Sequence, residues 1–441
     1  MATTQKDVLK IVKAERVKFV RLWFTDLLGG FKGFAIPVSE LPQAMEEGMG
    51  FDGSSIVGFV PINESDLMAM PDPATFRLLP WSIDEQGTAG MFCDVLTPEG
   101  KSFEGDPRYV LKRNLAKAAK LGYTFYVGPD MEFFYYRTEE RPEFLDQEGC
   151  FRLTPQTIGS KLRQKTIAIL ENMGIPVEYT HHEVSTSQHE IDLTPQEALS
   201  MADMVMLFRL VVKEVARGEG VHATFMPKPA FGINGSGMHC HQSLFKGERN
   251  VFFDPRDSYH LSSVAKHYIS GLLKHVREFT AVTNQWVNSY KRLVAGCEVP
   301  VFISWARRNR SALIRVSMGK AEREKETWVE LRSPDPAANP YLCFAVFLAA
   351  GLKGIEQKLE LRNPVEEDVF EMNKDKRRRL GIKALPASLY EAVLLARKSK
   401  LLRETLGSFL FEKFIINRKA EWDNDQKQVT DVELAKYLPM L

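Results

Sequence analysis

Several strand-like segments of this 441-residue chain carry charged or polar residues at every second position, and this alternation constrains the fold more than any other feature. Asp130 and Glu132 are two residues apart in DMEFF, and His239 and His241 are two apart in MHCHQ. Successive side chains of a strand point to opposite faces, so each pair shares one face. A sheet covered by helices on both faces would not tolerate these charges. The pattern therefore predicts an antiparallel-rich sheet with one polar face and with helices on the other side.

The first hundred residues are compact and strand-rich, and long helices alternate with strands after them. A chain of this length is too long for one hydrophobic core, so two domains are expected, 1–103 and 104–441. The boundary lies just before a clear helix start, with Asp106 as N-cap and Pro107 at the first helical position. Helices are predicted over 5–16, 106–121, 155–173, 195–217 and 340–352.

Charge and cysteine content limit the functional classes and the compartment. The 58 basic and 57 acidic residues nearly cancel, which gives no reason to expect a nucleic-acid partner. The five cysteines include no CxxC pair, the N-terminus lacks the apolar run of a signal peptide, and the longest uncharged apolar run is too short to span a bilayer. We therefore expect a cytoplasmic protein that acts on small molecules, without a membrane or nucleic-acid partner.

A second cluster of ionisable residues lies in the segment THHEVSTSQHEID: His181, His182, Glu183, His189, Glu190 and Asp192. So many ionisable groups beside a buried-looking strand are costly unless they bind a metal or pair with each other. Oxygen ligands favour Mg²⁺ or Mn²⁺ over zinc, and the absence of cysteine pairs agrees. His181 and His182 point to opposite faces of the strand, and neither is assigned as a ligand.

A glycine-rich loop and a basic stretch complete the candidate site. The loop INGSG, which leads into His239, is able to approach a ligand closely. Forked donors suited to carboxylates and phosphates follow between 290 and 332: Arg292, Arg307, Arg308, Arg310, Arg315 and Arg332. A nucleic-acid patch is the competing interpretation, but Glu298 and Glu330 are interleaved and aromatic residues are sparse. Carboxylates that would hold metal and arginines that would hold phosphate indicate a phosphoryl-transfer site.

Taken together, these motifs resemble type I glutamine synthetase over essentially the whole chain, in its shorter bacterial or archaeal-like branch. The matching motifs, in the family's order, are FDGSSI, GPDMEFF, HHEVSTSQHEID, FMPKPAFGINGSGMH, NSYKRL and ELRSPDPAANPYL. The resemblance implies an α+β fold with a small N-terminal β-grasp domain and a catalytic domain built on a curved antiparallel sheet flanked by helices. It also implies a dodecamer of two hexameric rings with active sites between subunits, and nitrogen-regulatory proteins as candidate partners.

The resemblance assigns a role to each residue that matches a family motif. One metal site is implied at Glu132, Glu183 and Glu190, and a second, on the ATP side, at Asp130, His239 and Glu330. Glutamate binding is implied for Asn234, Gly235, Arg292 and Arg332, and nucleotide binding for Glu178, His241, Ser243 and Arg315. Catalytic roles are implied for Asp52, which binds and deprotonates ammonium, for Arg310, which meets the transferring phosphate, and for Glu298, which lies on a flap that closes the site.

The implied activity is ATP-dependent condensation of glutamate with ammonia to glutamine through γ-glutamyl phosphate, with at least two Mg²⁺ or Mn²⁺ ions per site. ATP is needed because a carboxylate does not react with ammonia until its oxygen becomes a good leaving group. Water must be excluded, since it would hydrolyse the acyl phosphate.

The chain departs from the family pattern at Pro61, Asp130, Ala295, Cys297 and Trp328. Asp130 replaces a glutamate, and its shorter arm would lie about one methylene farther from its metal. Ala295 and Cys297 change the flap from PGYE to AGCE, so closure is expected to be less pre-organised. Trp328 replaces a common arginine, which directs attention to nucleotide binding. Pro61 stands where many shorter bacterial members carry an arginine linked to product feedback.

Two alternatives remain open at this point. A glutamate–amine ligase of the same superfamily would use a polyamine or another amine in place of ammonia, although Asp52 and Glu298 of the ammonium pocket are both present. A catalytically inactive ring-forming relative would keep only the assembly, although the metal and arginine sets are intact. Phosphate release with ammonium, compared with release with putrescine, separates the first alternative from the main interpretation.

Overall fold

The computed structural model describes residues 4–61, 65–81, 87–147, 149–151, 157–295, 299–316 and 324–441. Cys297 and Glu298 of the predicted flap lie outside the described residues. Within the described ranges, no helix is both long enough and apolar enough to cross a membrane.

A six-stranded sheet and two helices form the N-terminal unit. Its elements are α1 (Gln5–Ala14), β1 (Val17–Thr25), β2 (Phe31–Pro37), α2 (Leu41–Glu47), β3 (Met49–Asp52), β4 (Asp66–Pro71), β5 (Arg77–Leu79) and β6 (Gly87–Leu96). The strand order is β2-β1-β6-β4-β3, with β5 beside β6. β1 and β6 are parallel, and the other pairs are antiparallel. Val8, Val20 and Met91 belong to a buried core of this unit, which confirms a small strand-rich N-terminal region.

A ten-stranded sheet and the remaining helices form the larger unit. Its strands are β7 (Thr124–Tyr136), β8 (Val177–His182), β9 (Gln188–Leu193), β10 (Gln196–Glu197), β11 (His222–Thr224), β12 (Met238–Lys246), β13 (Arg249–Asn250), β14 (Trp305–Ala306), β15 (Ile314–Val316) and β16 (Val329–Leu331). Its helices are α3 (Pro107–Lys120), α4 (Ile158–Asn172), α5 (Ala198–Gly218), α6 (Ser263–Thr283), α7 (Ser289–Arg292), α8 (Pro340–Glu356), α9 (Lys374–Arg379), α10 (Leu389–Arg397), α11 (Lys400–Leu406), α12 (Ser408–Asp425) and α13 (Asp431–Tyr437). The main strand order is β14-β15-β16-β12-β7-β9-β8, and only β14 and β15 pair in parallel.

The start of α3 follows the sequence prediction. The Asp106 side chain accepts a hydrogen bond from the Arg108 backbone N–H at 2.9 Å, and Pro107 occupies the first turn. Gly122 then follows the helix with φ +78°, a conformation that glycine adopts without steric cost. The predicted domain boundary at 101–105 falls between β6 and α3, and the boundary itself stays a prediction.

One local prediction differs from the structure, and one strand is longer than its local sequence suggests. The helix predicted over 195–217 begins only at Ala198, because Gln196 and Glu197 form β10 and pair with β7. Residues 124–136 form the single strand β7, which continues through Gly128 and Pro129. Position 128, inside this strand, is a glycine because a Cβ there would come within 2.6 Å of Pro195. The glycine therefore allows close packing and does not mark a turn.

The two faces of the large sheet differ in polarity, as predicted. Met131, Phe133 and Tyr135 of β7 are fully buried in the main hydrophobic core, and α3 and α5 pack against this strand. The alternate residues Asp130 and Glu132 point to the opposite face. The sheet therefore presents its acidic side chains to an open cleft.

Candidate active site

Sheet register brings acidic residues that are distant in sequence to directly opposed positions. Asp130 of β7 lies opposite Asp192 of β9, and Glu132 lies opposite Glu190. On the other side of β7, Asp130 lies opposite His239 of β12. Directly opposed residues have Cβ atoms about 4.5–5.5 Å apart. The central three strands thus concentrate carboxylates and an imidazole on one face.

The outer strands add further charged groups to the same face. His181 of β8 lies opposite Glu190, and Glu183 follows directly after β8. On the other side, Glu330 of β16 lies opposite both His241 of β12 and Arg315 of β15. The site is therefore assembled from six strands, and no short segment of the sequence contains it.

These side chains line a cavity of about 550 Å³. The sequence-predicted residues in its lining are Asp130, Glu132, Glu183, Glu190, Asn234, Gly235, His239, Arg292, Arg310, Arg315, Glu330 and Arg332. We call the six predicted metal ligands among them (Asp130, Glu132, Glu183, Glu190, His239 and Glu330) the carboxylate cage.

His239 lies among three carboxylates of the cage. Its Nδ1 is 3.9 Å from Asp130 Oδ2 and 3.8 Å from Glu330 Oε1, and its Nε2 is 3.7 Å from Glu132 Oε1. Burial, assisted by the positive charge of Arg332, holds the pKa of His239 well below its usual value. The imidazole is therefore neutral at physiological pH, which is the form that binds metal ions.

Glu183 and Glu190 share a hydrogen bond at the opposite end of the cage. Burial and this hydrogen bond raise the pKa of Glu190 well above its usual value, while the same hydrogen bond lowers the pKa of Glu183 against the effect of burial. His181 bridges the pair, with Nδ1 3.5 Å from Glu183 Oε1 and Nε2 3.2 Å from Glu190 Oε2. Without a cation between them, the two carboxyl groups are thus arranged to share one proton.

Glu330 differs from the other cage carboxylates because arginines contact both of its oxygens. Arg315 Nε donates to Oε2 at 2.6 Å, and Arg332 donates to Oε1. Burial would raise the pKa of Glu330, but the charge of Arg332, followed by His241 and Arg315, holds it far below the usual range. Glu330 is therefore ionised and held in a fixed orientation.

The donor set fits divalent cations. Among the described residues, no lysine or arginine forms an ion pair with Glu132, Glu183 or Glu190, and burial followed by the nearby Glu183 raises the pKa of Glu132 to about 7. The neighbouring Asp192 has a buried Oδ1 without a hydrogen-bond partner in the part of the chain that the structure describes. Oxygen atoms with one or two imidazoles match the preferences of Mg²⁺ and Mn²⁺. Among the described residues, ligand atoms come within 4.8 Å of one another in four groups, and three of these include cage residues: Asp130/Glu190/His239, Asp130/His241/Glu330 and His181/Glu183/Glu190.

The loop before β12 borders the cage. The Asn234 backbone N–H donates to Ser185 Oγ at 2.8 Å, and a Cβ at Gly235 would come within 2.2 Å of the Pro227 carbonyl oxygen. Arg292 lies behind the loop, where its Nη1 donates to the carbonyl oxygens of residues 333 and 334 at 2.8 and 3.2 Å. Only glycine fits at position 235, so the loop backbone follows the wall of the cleft closely.

Three of the predicted nucleotide-binding residues do not line the cavity. Ser243 is fully buried, and its hydroxyl donates to Asn250 Oδ1 at 2.8 Å. Glu178 is exposed on β8. His241 donates to Asp130 Oδ2 at 3.1 Å, and although burial opposes it, the charge of Asp130 raises the pKa of His241 to about 9. Of the predicted nucleotide contacts, the structure brings only Arg315 into the cleft, and the roles of the other three stay predictions.

Asp52 also lies away from the cleft of its own chain. It is the last residue of β3 in the N-terminal unit, and its side chain accepts hydrogen bonds from Ser54 N, Ser54 Oγ and Ser55 Oγ at 2.9, 2.6 and 3.1 Å. The bonds from Ser54 hold the pKa of this exposed carboxyl below its usual value. Asp52 is thus an ionised acid on the surface of the chain.

The structure adds cleft residues that the sequence analysis did not assign: His181, Gln188, Tyr179 and Asp192. The first three line the cavity, and Asp192 is buried beside Asp130. For His181 a signal was present, since it is two residues before Glu183 and so shares its face. The position of Gln188 depends on contacts with residues more than forty positions away, and no local pattern predicts them.

Comparison with protein families gives two matches that together cover most of the chain. Residues 16–98 match the family described as "Glutamine synthetase, beta-Grasp domain", and residues 104–437 match "Glutamine synthetase, catalytic domain". The chain is 48% identical to the glutamine synthetase of Methanosarcina mazei, across 100% of this chain and 98% of that protein. It is also 48% identical to the glutamine synthetase of Thermotoga maritima, across 99% of each chain.

Solved structures agree on the fold. A structure described as a GmaS/ADP complex superposes with a TM-score of 0.88 at 30% identity, covering 98% of this chain and 99% of that one. The Plasmodium falciparum glutamine synthetase gives the same TM-score at 24% identity, covering 98% of each chain. These overlaps extend over both units of the molecule.

Proposed function

Because this chain belongs to the glutamine synthetase family, we propose that its cleft binds glutamate, ATP and divalent cations through the residues described above. The protein is an ATP-dependent glutamate–ammonia ligase. Its relatives give no support to the amine ligase or to the inactive ring-forming protein as an alternative. The observation that carries the site assignment is the carboxylate cage, in which arginines pair with Glu330 whereas the other acids form ion pairs, among the described residues, only with histidines.

The cage is the proposed binding site for at least two Mg²⁺ or Mn²⁺ ions. When bound, the cations supply positive charge beside the reacting carboxylate and the phosphates of ATP. Glu132, Glu183 and Glu190 would hold one ion, and Asp130, His239 and Glu330 the other. The three short-distance groups divide the ligands differently, since Glu190 groups with Asp130 and His239 in one of them. We therefore also propose that Glu190 contacts both ions.

Glutamate is proposed to bind between the loop and the arginines of the cleft. Asn234 and Gly235 contribute the wall of the cleft, and Arg332 directs a guanidinium toward it from the end of β16. Arg292 uses its Nη1 to hold the backbone behind the loop. Its buried Nε has no partner among the described residues. We infer that Arg292 supports the loop as well as the charge balance of the bound substrate.

Phosphoryl transfer is the proposed first step. A γ-carboxylate oxygen of glutamate attacks the γ-phosphorus of ATP, the bond to the β,γ-bridging oxygen breaks, and ADP leaves with that electron pair. Arg310 and Arg315 lie at the cleft and neutralise the charge on the transferring group. The product is γ-glutamyl phosphate.

Ammonia transfer is the proposed second step, and it uses Asp52 of a neighbouring subunit. Asp52 takes a proton from ammonium, and ammonia attacks the acyl carbon. The bond from that carbon to the phosphate oxygen breaks, and phosphate leaves with the electron pair and with the extra proton of the nitrogen, which gives glutamine. The position of Asp52 on the surface, outside the cleft of its own chain, supports a site completed between subunits.

We propose a dodecamer of two hexameric rings. A cytoplasmic location and regulatory protein partners also stay predictions.

Mixing two inactive variants tests this arrangement. Asp52→Ala keeps an intact cleft, and Arg332→Ala keeps an intact Asp52. If Asp52 acts in the cleft of a neighbour, mixed oligomers contain some complete sites, and glutamine formation from ATP, glutamate and ammonium returns after dissociation and reassembly. Each variant reassembled alone is the control. Light scattering on the same samples reports the number of subunits.

The outcomes separate the parts of the proposal. Activity in the mixture, with both single variants inactive, supports a shared site. A mixture as inactive as its components, although it co-assembles, would place Asp52 in its own chain. Full activity of Asp52→Ala alone would overturn the ammonium assignment and leave the metal cage untouched.

A further inference from the structure

Gln188, a buried residue of β9 with no assigned role, connects the carboxylate cage to the glycine loop. Its side-chain Nε2 donates to Glu132 Oε2 at 3.0 Å and to the Gly235 carbonyl oxygen at 3.1 Å. The residue is 1% exposed and lines the cleft. One amide group thus contacts a predicted metal ligand and the predicted glutamate-binding loop.

The orientation of this amide follows from its surroundings. Both partners of Nε2 are acceptors, a carboxylate oxygen and a carbonyl oxygen, so a flipped side chain would direct its own oxygen at two oxygens. Oε1 is buried, and no donor among the described residues reaches it. A buried acceptor without a partner is unfavourable. The amide keeps this orientation because the two hydrogen bonds of Nε2 offset that cost.

The contact also distinguishes the two oxygens of Glu132. Oε2 accepts from Gln188 Nε2 and from the Gly237 backbone N–H at 2.8 Å, and the Glu132 backbone N–H donates to the Gly237 carbonyl at 3.2 Å. Oε1 is the oxygen that lies 3.7 Å from His239. The loop and Gln188 therefore occupy Oε2, and Oε1 is the oxygen left for the cage.

We propose that Gln188 is a positioning residue that couples cation binding at Glu132 to glutamate binding at the Asn234–Gly235 loop. Rotation of the Glu132 carboxylate would displace Nε2 and with it the loop carbonyl of Gly235, and movement of the loop would act on Glu132 in return. Such a coupling is reciprocal, so each ligand tightens the binding of the other by the same factor. This inference rests on the proposed roles of Glu132 and the loop.

The test uses Gln188→Met, which keeps the length and burial of the side chain and removes both donors. Gln285→Met is the matched control, since Gln285 is also fully buried, donates to two backbone carbonyls, and has a buried Oε1 without a partner, but it lies outside the cleft lining. Binding of Mn²⁺ to the metal-stripped, full-length protein is measured by calorimetry with and without saturating glutamate. The Michaelis constant for glutamate and kcat are measured separately.

We expect Gln188→Met to raise the Michaelis constant for glutamate by about tenfold, as for other residues that orient metal ligands. The tightening of Mn²⁺ binding by glutamate, present in the wild type, should disappear. Gln285→Met should keep both properties even if its thermal stability falls, because a purely structural defect lowers the active fraction without changing either affinity. If Gln188→Met does not fold, Gln188→Glu takes its place, since a carboxylate of the same size cannot donate and adds repulsion to Glu132.

Three results would overturn the proposal. These are unchanged glutamate and Mn²⁺ affinities in Gln188→Met, equal changes in Gln188→Met and Gln285→Met, or absence of any coupling in the wild type. Glu132→Gln separates this failure from a failure of the proposed function, because unchanged Mn²⁺ binding in that variant would mean that the cage itself is wrongly assigned.

Discussion

Two regions of this molecule bring several buried or half-buried carboxylates together, and they neutralise them in different ways. In the first, Arg108 of α3 donates to Asp203 of α5 at 3.1 Å and to Asp72 at 2.7 Å, and it also pairs with Asp94 of β6. The Tyr341 hydroxyl adds a bond to Asp203 at 2.6 Å. We call Asp72, Asp94, Arg108 and Asp203 the Arg108 cluster, which joins the N-terminal unit to the helices of the larger one.

Apart from Glu330, the acids of the carboxylate cage have no lysine or arginine partner among the described residues. Arginines contact Glu330, whereas Asp130, Glu132, Glu183 and Glu190 form ion pairs, among the described residues, only with histidines. The comparison teaches that buried acids alone do not identify a metal site. What identifies it is the absence of an internal cation among acids that share one cleft, since uncompensated buried charge is costly.

The largest expected effect comes from removing the internal cation. Arg108→Met leaves the buried Asp203 without a cation, although the Tyr341 hydroxyl still donates to it and Lys112 still pairs with Asp94. Breaking a buried ion pair in this way costs about 3–5 kcal/mol of unfolding free energy. The midpoint of urea unfolding, at a fixed protein concentration, measures the loss.

Arg217→Met is the control, because Arg217 is exposed and its one ion pair among the described residues is with Glu214, so it should lose less than about 1 kcal/mol. Similar losses in the two variants would contradict the contrast between the regions.

A smaller effect is expected from supplying the missing cation to the cage. Mn²⁺ at thirty times its dissociation constant should raise the unfolding free energy of the stripped protein by about 2 kcal/mol, because it binds only the folded state. Glu190→Gln should abolish this gain and change the metal-free stability by less than about 1 kcal/mol. Urea unfolding with Mn²⁺ and with a chelator measures both. A loss of several kcal/mol in metal-free Glu190→Gln would mean that the cage is balanced internally, like the Arg108 cluster.

The smallest expected effect is a pH dependence of the metal-free protein. Burial, followed by the charge of Asp130, raises the pKa of Asp192 to about 8. The folded state then holds a proton that the unfolded state releases near pH 4, so stability is full at low pH and falls as the pH rises through about 8. Between pH 7 and pH 8 this group accounts for about 1 kcal/mol.

Asp192→Asn should reduce this decline by about 1 kcal/mol, and the buried Glu132 and Glu190, whose pKa values are also raised, account for the decline that remains. Thermal unfolding of the stripped wild type and variant in matched buffers at pH 7 and pH 8 measures the difference. An equal decline in both proteins would assign the titration to another group of the cage.

Much of the site could be predicted from the sequence because strand alternation and helix capping depend only on residues that are close in the chain. The alternation of Asp130 with Glu132 and of His239 with the following polar residues determined which side chains share a face, and these pairs line or border the cleft. The N-cap at Asp106 fixed the start of α3 in the same way. The motif order identified the family. Period-two patterning and capping need only neighbouring residues, so a single sequence is enough to recognise them.

Other features depended on contacts that no local pattern contains. A glycine such as Gly128 usually weakens a strand, so the local sequence favours an interruption there. In the structure Pro195 packs against Gly128 and β7 continues through it. Ser243 lies an even number of residues from His239 and His241 and so shares their face of β12. Its hydroxyl is nevertheless buried, and it donates a hydrogen bond to Asn250. The position of a residue along a strand determines which face of the sheet its side chain is on. Its neighbours in space determine whether that side chain reaches the cleft.

The sequence by itself determined that this chain buries acids on one polar face of an antiparallel sheet, with arginines and a glycine loop close by. Only the tertiary structure decided which acids have a cation of their own and which lack one. It also placed Gln188 between Glu132 and Gly235, residues 56 and 47 positions away from it in the chain. The reason is physical: strand register sets which distant residues lie opposite each other, and charge compensation depends on those distances and not on composition.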